Sequence, residues 1–274
     1  MRPLVVMVAP NGARRTKADH PDLPITPAEI AREAARCAEA GATVLHVHVR
    51  DRDGRHSLDA GRYRAAIEAV RKAVGERIVI QITTEAVGRY APAEQIEVVR
   101  ELRPEAVSLA LAELIPDDAA EVDAAAFLDW LRRERIAPQY ILYSPQEVAR
   151  FHDLRRRGVI PQRRAFALFV LGRYAEPTEA RPQDVLPFLA AHADADCPWS
   201  LCAFGPREGA CVLTAAGLGG HVRVGFENNL WLADRRLAAS NAELVEQITA
   251  GARLVGREVA NVEAARAFLA ETAE

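Results

Sequence analysis

Short apolar runs rich in β-branched residues alternate with longer amphipathic stretches along the whole chain. The runs read as strands near 4–9 (LVVMVA), 43–49 (TVLHVHV), 78–83 (IVIQIT), 106–111 (AVSLAL), 139–143 (QYILY), 165–171 (AFALFVL), 199–204 (WSLCAF) and 221–226 (HVRVGF). Helical patterns fill the intervals, near 27–40, 59–74, 92–102, 121–134, 145–157, 182–193, 208–218 and 241–255. Several carry start signals. Thr26, Pro27 and Glu29 supply a cap, a first-turn proline and an early carboxylate. Ser240, Asn241 and Glu243 begin the helix near 241–255 in the same way, and Pro92 and Pro145 stand at two more first turns. A last segment, 261–272, reads as an extra helix packed outside the main body.

Strict strand–helix alternation implies parallel strands joined by right-handed crossovers. Eight such units in 274 residues point to the α/β class and a closed (β/α)8 TIM barrel, one domain over 1–274. An open doubly wound sheet is the rival, but no G-x-G-x-x-G follows the first strand. Composition changes the picture only by exclusion. Half the residues are hydrophobic and 27% are charged, which supplies a core and rules out disorder. A net charge of −3 gives no footprint for nucleic acid. Four cysteines without a C-x-x-C pair fit a reducing cytoplasm. The first apolar run is at the short limit of a signal segment and no small-residue cleavage site follows it, and no run approaches the roughly 20 residues of a membrane helix. The expectation is a soluble, cytoplasmic protein with no membrane partner.

The strongest chemical signal is His46-Val47-His48-Val49-Arg50-Asp51, at the end of the second strand. Residues two apart on a strand share a face, so His46 and His48 project together. Near the C-terminal end of a barrel strand they form a credible metal pair; the plainer alternative is two histidines hydrogen-bonded in a polar mouth. The eighth strand runs into Glu227, flanked by Asn228 and Asn229. Closure places strand eight beside strand one and strand two next, so Glu227 can approach both histidines. Two histidines, one glutamate and open positions make a catalytic zinc set. The competing role for Glu227 is a helix cap or an arginine pair.

These elements together resemble a known family, the β-keto acid cleavage enzymes, whose founding activity is 3-keto-5-aminohexanoate cleavage. The resemblance covers nearly the whole chain. It rests on N-G-A at 11–13, L-P-I-T-P-x-E-I at 23–30, H-V-H-V-R-D at 46–51, G-G-H-V-R-V-G-F-E-N-N at 219–229 and S-N-A-E-L-V-E at 240–246. It implies a (β/α)8 barrel holding a divalent metal, usually zinc, on His46, His48 and Glu227. It also implies a reaction in which a β-keto acid and acetyl-CoA become acetoacetate and a new acyl-CoA, carried out by a homo-oligomer, a tetramer. The family's Arg–Asp dyad falls on Arg223 and Asn228. An amide cannot act as a general base, so this chain departs from the pattern there. Asn228 is left to orient a water or the substrate, and Glu85, at the end of strand three, is the candidate base. Its alternative is a rim glutamate in a salt bridge.

A second departure follows the first strand, where the family's founding activity has an acid and this chain has Arg14. Arg14, with Arg15 and Lys17, favours a substrate with an anionic tail; Glu85 and Glu113 could instead counter a cationic one. Thr83 joins them as an expected substrate contact. Arg173 and Arg207, after strands six and seven, stand where barrels often hold phosphate and are the candidates for binding CoA. Among rival functions, a Schiff-base aldolase needs a lysine on a barrel strand, yet Lys17 lies in a loop and Lys72 in a helix. An amidohydrolase-type site would place H-x-H on strand one with further His and Asp ligands. A metal-dependent class II aldolase, acting without CoA, is the serious alternative.

Overall fold

The apolar runs do form strands, and eight of them close on themselves. The computed structural model describes residues 2–173, 179–192 and 196–274. In chain order the strands are β1 (Val6–Val8), β2 (Val44–Val47), β3 (Val49–Arg50), β4 (His56–Ser57) and β5 (Val79–Thr83). They continue with β6 (Ala106–Ala110), β7 (Ala137–Leu142), β8 (Phe166–Leu171), β9 (Trp199–Ala203) and β10 (His221–Val224). The barrel order is β1-β10-β9-β8-β7-β6-β5-β2, with every pairing parallel. Met7 pairs with both Arg223 and Val44, so β1 lies between β10 and β2 as closure requires. β3 and β4 form a separate antiparallel ribbon.

The helices are α1 (Pro27–Glu39), α2 (Ala60–Val74), α3 (Pro92–Leu102), α4 (Leu111–Leu114) and α5 (Glu121–Glu134). Then come α6 (Pro145–Arg156), α7 (Leu186–Ala191), α8 (Glu208–Gly217), α9 (Asn241–Leu254) and α10 (Val262–Ala273). The capping chemistry works as the sequence implies. Thr26 Oγ1 accepts from Glu29 N while Glu29 caps the Thr26 N–H, and Ser240 accepts from Glu243 N. Each helix lays an apolar stripe on the barrel; α1 buries Ile30, Ala34 and Cys37. Among the described residues, no helix is long and apolar enough to cross a membrane.

Alternation along the strands sorts side chains between two cores. Val6, Val8, Leu45, Val47, Ile80 and Ile82 face the helices. Val5, Met7, Val44, Val79, Ala106, Ala137 and Phe166 face inward at the N-terminal end of the barrel. That end is covered by α10, the extra C-terminal helix, which packs across the N-terminal ends of the strands. The chain leaving α9 pairs with the start of β1, Leu4 N donating to Glu258 O and Ala260 N to Leu4 O. This launches α10 across the open end, where Phe268 meets Phe166 at 4.9 Å and His221 at 4.4 Å between ring centroids. Without it the lowest apolar layer would face water.

Three smaller differences have local causes. The second strand ends at Val47, because the chain after His48 folds back as the β3–β4 ribbon. Leu111 leaves β6 for the one-turn α4. The helix expected over 182–193 is a 3-10 turn at Pro182–Val185 followed by α7, with residue 193 outside the described residues. Pro187 lacks the N–H that one continuous helix would need and instead sits in a new first turn.

Truncating the plug should weaken the whole barrel. Phe268→Ala removes a side chain only 6% exposed and is expected to cost about 3–5 kcal/mol. Thermal unfolding measures this; an unchanged midpoint would show that α10 is dispensable to the core.

Candidate active site

Three donor atoms meet at the C-terminal mouth of the barrel. His46 points inward from β2, and His48 lies one residue past its end. Glu227 follows β10 on a turn that crosses above β1 toward them, Glu227 N donating to Ala9 O at 3.1 Å. Two glycines permit that crossing. Gly225 has φ +134°, and a Cβ there would lie 2.4 Å from Ala9 O. Gly12 has φ +61°, and a Cβ there would lie 2.6 Å from Glu227 Cγ, so the N-G-A segment is shaped around the Glu227 stem. Asn11 Nδ2 donates to His48 O and to Pro24 O, both at 3.0 Å, which anchors the end of β2. From below, the buried Glu208 accepts from Gly225 N and Asn229 Nδ2, both at 3.2 Å.

His46 Nε2 and His48 Nε2 are 3.1 Å apart. Glu227 Oε2 lies 3.5 Å from the first and 3.1 Å from the second. Donors held about 2.0–2.1 Å from one tetrahedral ion stand roughly 3.3–3.4 Å apart, so the triangle matches one face of such a site. Glu227 Oε2 is buried and makes no hydrogen bond. A buried carboxylate oxygen facing two imidazole nitrogens, without a proton donor of its own, fits a cation.

Electrostatics point the same way. Burial, and secondarily Arg223, lowers His46 to about 4. Burial also holds His48 well below the usual imidazole range, so both rings present lone pairs. For Glu227 burial opposes the charge, but its surroundings, the Arg223 guanidinium foremost, keep the carboxyl well below its ordinary value. Arg223, 2% exposed, donates to Glu227 Oε1 at 3.1 Å and to Cys202 Sγ at 3.3 Å. Its Nε and Nη1 make no hydrogen bond and remain as two buried donors beside the triad.

The cavity around this centre has two unlike walls. His46, His48, Thr83, Glu85, Arg173, Arg223 and Glu227 form a polar one, while Ala110, Ile141, Val170 and Phe204 form an apolar one, with Tyr143 also on the lining. Glu85 pairs with Arg173, whose guanidinium lies 5.2 Å from the Phe204 ring centroid. Glu85 Oε2 stands 3.7 Å from His48 Nδ1. Burial raises Glu85 to about 6, Arg173 pulling the other way and Glu227 and Glu113 adding to the rise. Thr83 Oγ1 accepts from Glu85 N at 3.1 Å, which sets the turn carrying that carboxylate.

The remaining expected residues lie farther out. Arg14 is exposed, near enough for its charge to act on Glu85 and Glu113. Glu113 is tied to the loop after β5, accepting from Ala86 N at 2.8 Å and Gln95 Nε2 at 3.2 Å, and is not on the cavity lining. Arg207 is exposed at the start of α8. Asn228 is fully buried, neither atom of its side-chain amide is hydrogen-bonded, and it too is off the lining. Neither lysine lines the cavity. Sequence reasoning missed His56, whose Nε2 lies 2.9 Å from Glu85 O and whose ring packs 5.1 Å from that of His48. It also missed Gln81, 2.8 Å from His46 Nδ1; its signal was a polar residue at an inward position of an apolar run.

Comparison with known proteins follows the same line. A family model described as beta-keto acid cleavage enzyme matches residues 3–270. The chain is 32% identical over 274 residues to the 3-keto-5-aminohexanoate cleavage enzyme of Fusobacterium nucleatum, covering 98% of each. It is 31% identical over 277 residues to the 3-oxoadipate:acetyl-CoA acetyltransferase of Cupriavidus necator, covering 98% of this chain and 95% of that one. Among solved structures, the apo form of ObcA superposes with a TM-score of 0.72 at 19% identity. That match covers 91% of this chain but 65% of ObcA, so this chain spans just under two thirds of its length and the likeness is one of fold. A barrel whose second and eighth strands deliver H-x-H and a glutamate to one point, matched along almost its entire length, places this chain in the β-keto acid cleavage enzyme family.

Proposed function

We propose that this chain exchanges acyl groups between a β-keto acid and acetyl-CoA, releasing acetoacetate and a new acyl-CoA, with zinc held by His46, His48 and Glu227. The supporting observation is the convergence of three buried donors on one point, with Glu227 Oε2 lacking a hydrogen bond. A divalent cation bound there supplies Lewis acidity toward the keto and carboxylate oxygens of the substrate. In the exchange, the methylene carbon between the two carbonyls loses a proton and bonds to the acetyl carbonyl carbon, which releases CoA thiolate. The thiolate then adds to the original keto carbon, the bond from that carbon to the methylene breaks to leave an acyl-CoA, and the methylene carbanion takes back the proton to give acetoacetate.

Each step asks something of this chain's own side chains. Arg223 offers its unclaimed Nε and Nη1 to the negative charge that develops on substrate oxygen. Glu85 is the proton acceptor: its raised pKa makes it a stronger base than an exposed carboxylate, and it shares the lining with the triad. Asn228, an amide, positions and does not accept the proton. The apolar wall of Ala110, Ile141, Val170 and Phe204 seats the exchanged acyl group. Thr83 and Arg14 contact the substrate, with Glu113 acting on it through charge alone. Arg173, at the inner rim, and Arg207, at the N-terminal end of α8, meet the CoA phosphates.

Screening β-keto acids with acetyl-CoA and following acetoacetate release tests the reading directly. Release that does not depend on acetyl-CoA would point instead to an aldolase. Elemental analysis should find about one zinc per chain, and His48→Ala should abolish both the metal and turnover; full activity in a metal-free preparation would remove the metal from the mechanism. Glu85→Gln should lower turnover roughly 100- to 10,000-fold with metal content unchanged. Glu85 ionises near pH 6, so the base form is lost as pH falls through that value. The wild-type rate should decline on the acid side of about pH 6, and the glutamine variant should lack that limb. A raised KM with normal turnover would make Glu85 a substrate-tail contact.

A further inference from the structure

In a barrel of this kind the interior is filled in layers of four side chains from alternate strands, and bulky branched apolar residues dominate them. The layer drawn from β1, β5, β7 and β9 breaks that habit. It consists of Met7, Gln81, Gln139 and Ser200, all fully buried. Burying two amides and a hydroxyl is costly unless each is hydrogen-bonded, and here each is. Gln81 Nε2 donates to Gln139 Oε1 at 3.3 Å, and Gln139 Nε2 to Ser200 Oγ at 3.0 Å. Ser200 Oγ donates to Ala167 O at 3.2 Å, while Met7 Sδ lies 3.6 Å from Gln139 Nε2. At the other end of the chain, Gln81 Oε1 lies 2.8 Å from His46 Nδ1.

The chain has a direction, set at its far end. A backbone carbonyl only accepts, so the Ser200 hydroxyl proton points at Ala167 O. Ser200 Oγ must then accept, which turns the NH2 of Gln139 toward it. Gln139 Oε1 is left to accept from the NH2 of Gln81, and Gln81 Oε1 is left facing His46. Only a protonated Nδ1 satisfies that oxygen, so the Nε2 of His46 carries the lone pair. We infer that Gln81, Gln139 and Ser200 are positioning residues that lock His46 into the tautomer whose Nε2 can bind a metal, a role resting on the metal site proposed above. The polar layer thus acts on a ligand it does not touch beyond Gln81, from a strand on the far side of the barrel lumen.

The test reads the tautomer and the metal separately. In metal-free protein labelled with 15N-histidine, two-bond nitrogen–proton correlations should show His46 wholly protonated at Nδ1; protonation at Nε2 would overturn the inference at once. Ser200→Ala removes the directional anchor, so His46 should become a mixture of tautomers. Its zinc dissociation constant, from chelator competition, should rise about 10- to 100-fold. Ser200→Thr keeps the hydroxyl and should restore both readings, and Gln81→Met, which removes the acceptor itself, should weaken zinc at least as much as Ser200→Ala. A lower unfolding temperature in Ser200→Ala and Gln81→Met, with tautomer and zinc affinity unchanged, would reduce the layer to packing and refute the proposal. If the tautomer shifts as stated but the wild type takes up no zinc, the positioning chain stands and the metal reading falls.

Discussion

The burial of the Glu227 carboxylate is the constraint around which the mouth of this barrel is built. Taking a carboxylate out of water costs several kcal/mol unless opposite charge and donors replace the lost solvent. Arg223 meets one oxygen, four residues back along the same strand end, while the other faces His46 and His48 at 3.5 and 3.1 Å with no hydrogen bond of its own, a place suited to a cation. The backbone yields to the same demand. Gly12 and Gly225 clear the space, Glu208 holds the turn from below, and Arg15 braces it from above through Phe226 O and Asn228 O. Few residues in this region could change without moving Glu227.

The barrel lumen divides the work along its axis. Its N-terminal end is apolar and covered by α10. Next comes the hydrogen-bonded layer of Gln81, Gln139 and Ser200, whose far end is a fixed carbonyl and whose near end is a metal-ligand candidate. Above it the lumen opens into a cavity with charged and polar residues from the ends of β2, β5, β8 and β10 and apolar ones from the ends of β6, β7, β8 and β9. The two carboxylates of the mouth also have separate origins and partners: Glu85 rises from the end of β5 with Arg173 as its partner, and Glu227 arrives from β10 with Arg223 as its own. The two carboxylates respond oppositely to burial because their neighbours differ.

Much of this was legible in the amino-acid sequence. Strand periodicity gave eight parallel segments, and eight is the number that closes. The spacing of His46 and His48 put both on one face, and closure alone predicted that Glu227 would reach them. Glu85 was identified as an acid at a strand end. In each case the property read was local, either a period of two along a strand or the order in which strands must follow one another.

What only the tertiary structure decided is lateral. Gln81 and Gln139 are 58 positions apart, and Gln139 and Ser200 are 61 apart; nothing in either neighbourhood announces that the three meet. Their contact exists because strand tilt and shear in a closed barrel bring alternate strands into one layer. Glu113, a candidate for the substrate by its sequence position, accepts from the backbone of Ala86, a contact made by the path of the loop after β5. Helix α10 reads as amphipathic from its pattern, but the surface it covers is set by where β1 begins. A sequence carries the periodicity of its elements and the chirality of their connections, whereas distances across a lumen follow from how all eight strands close at once.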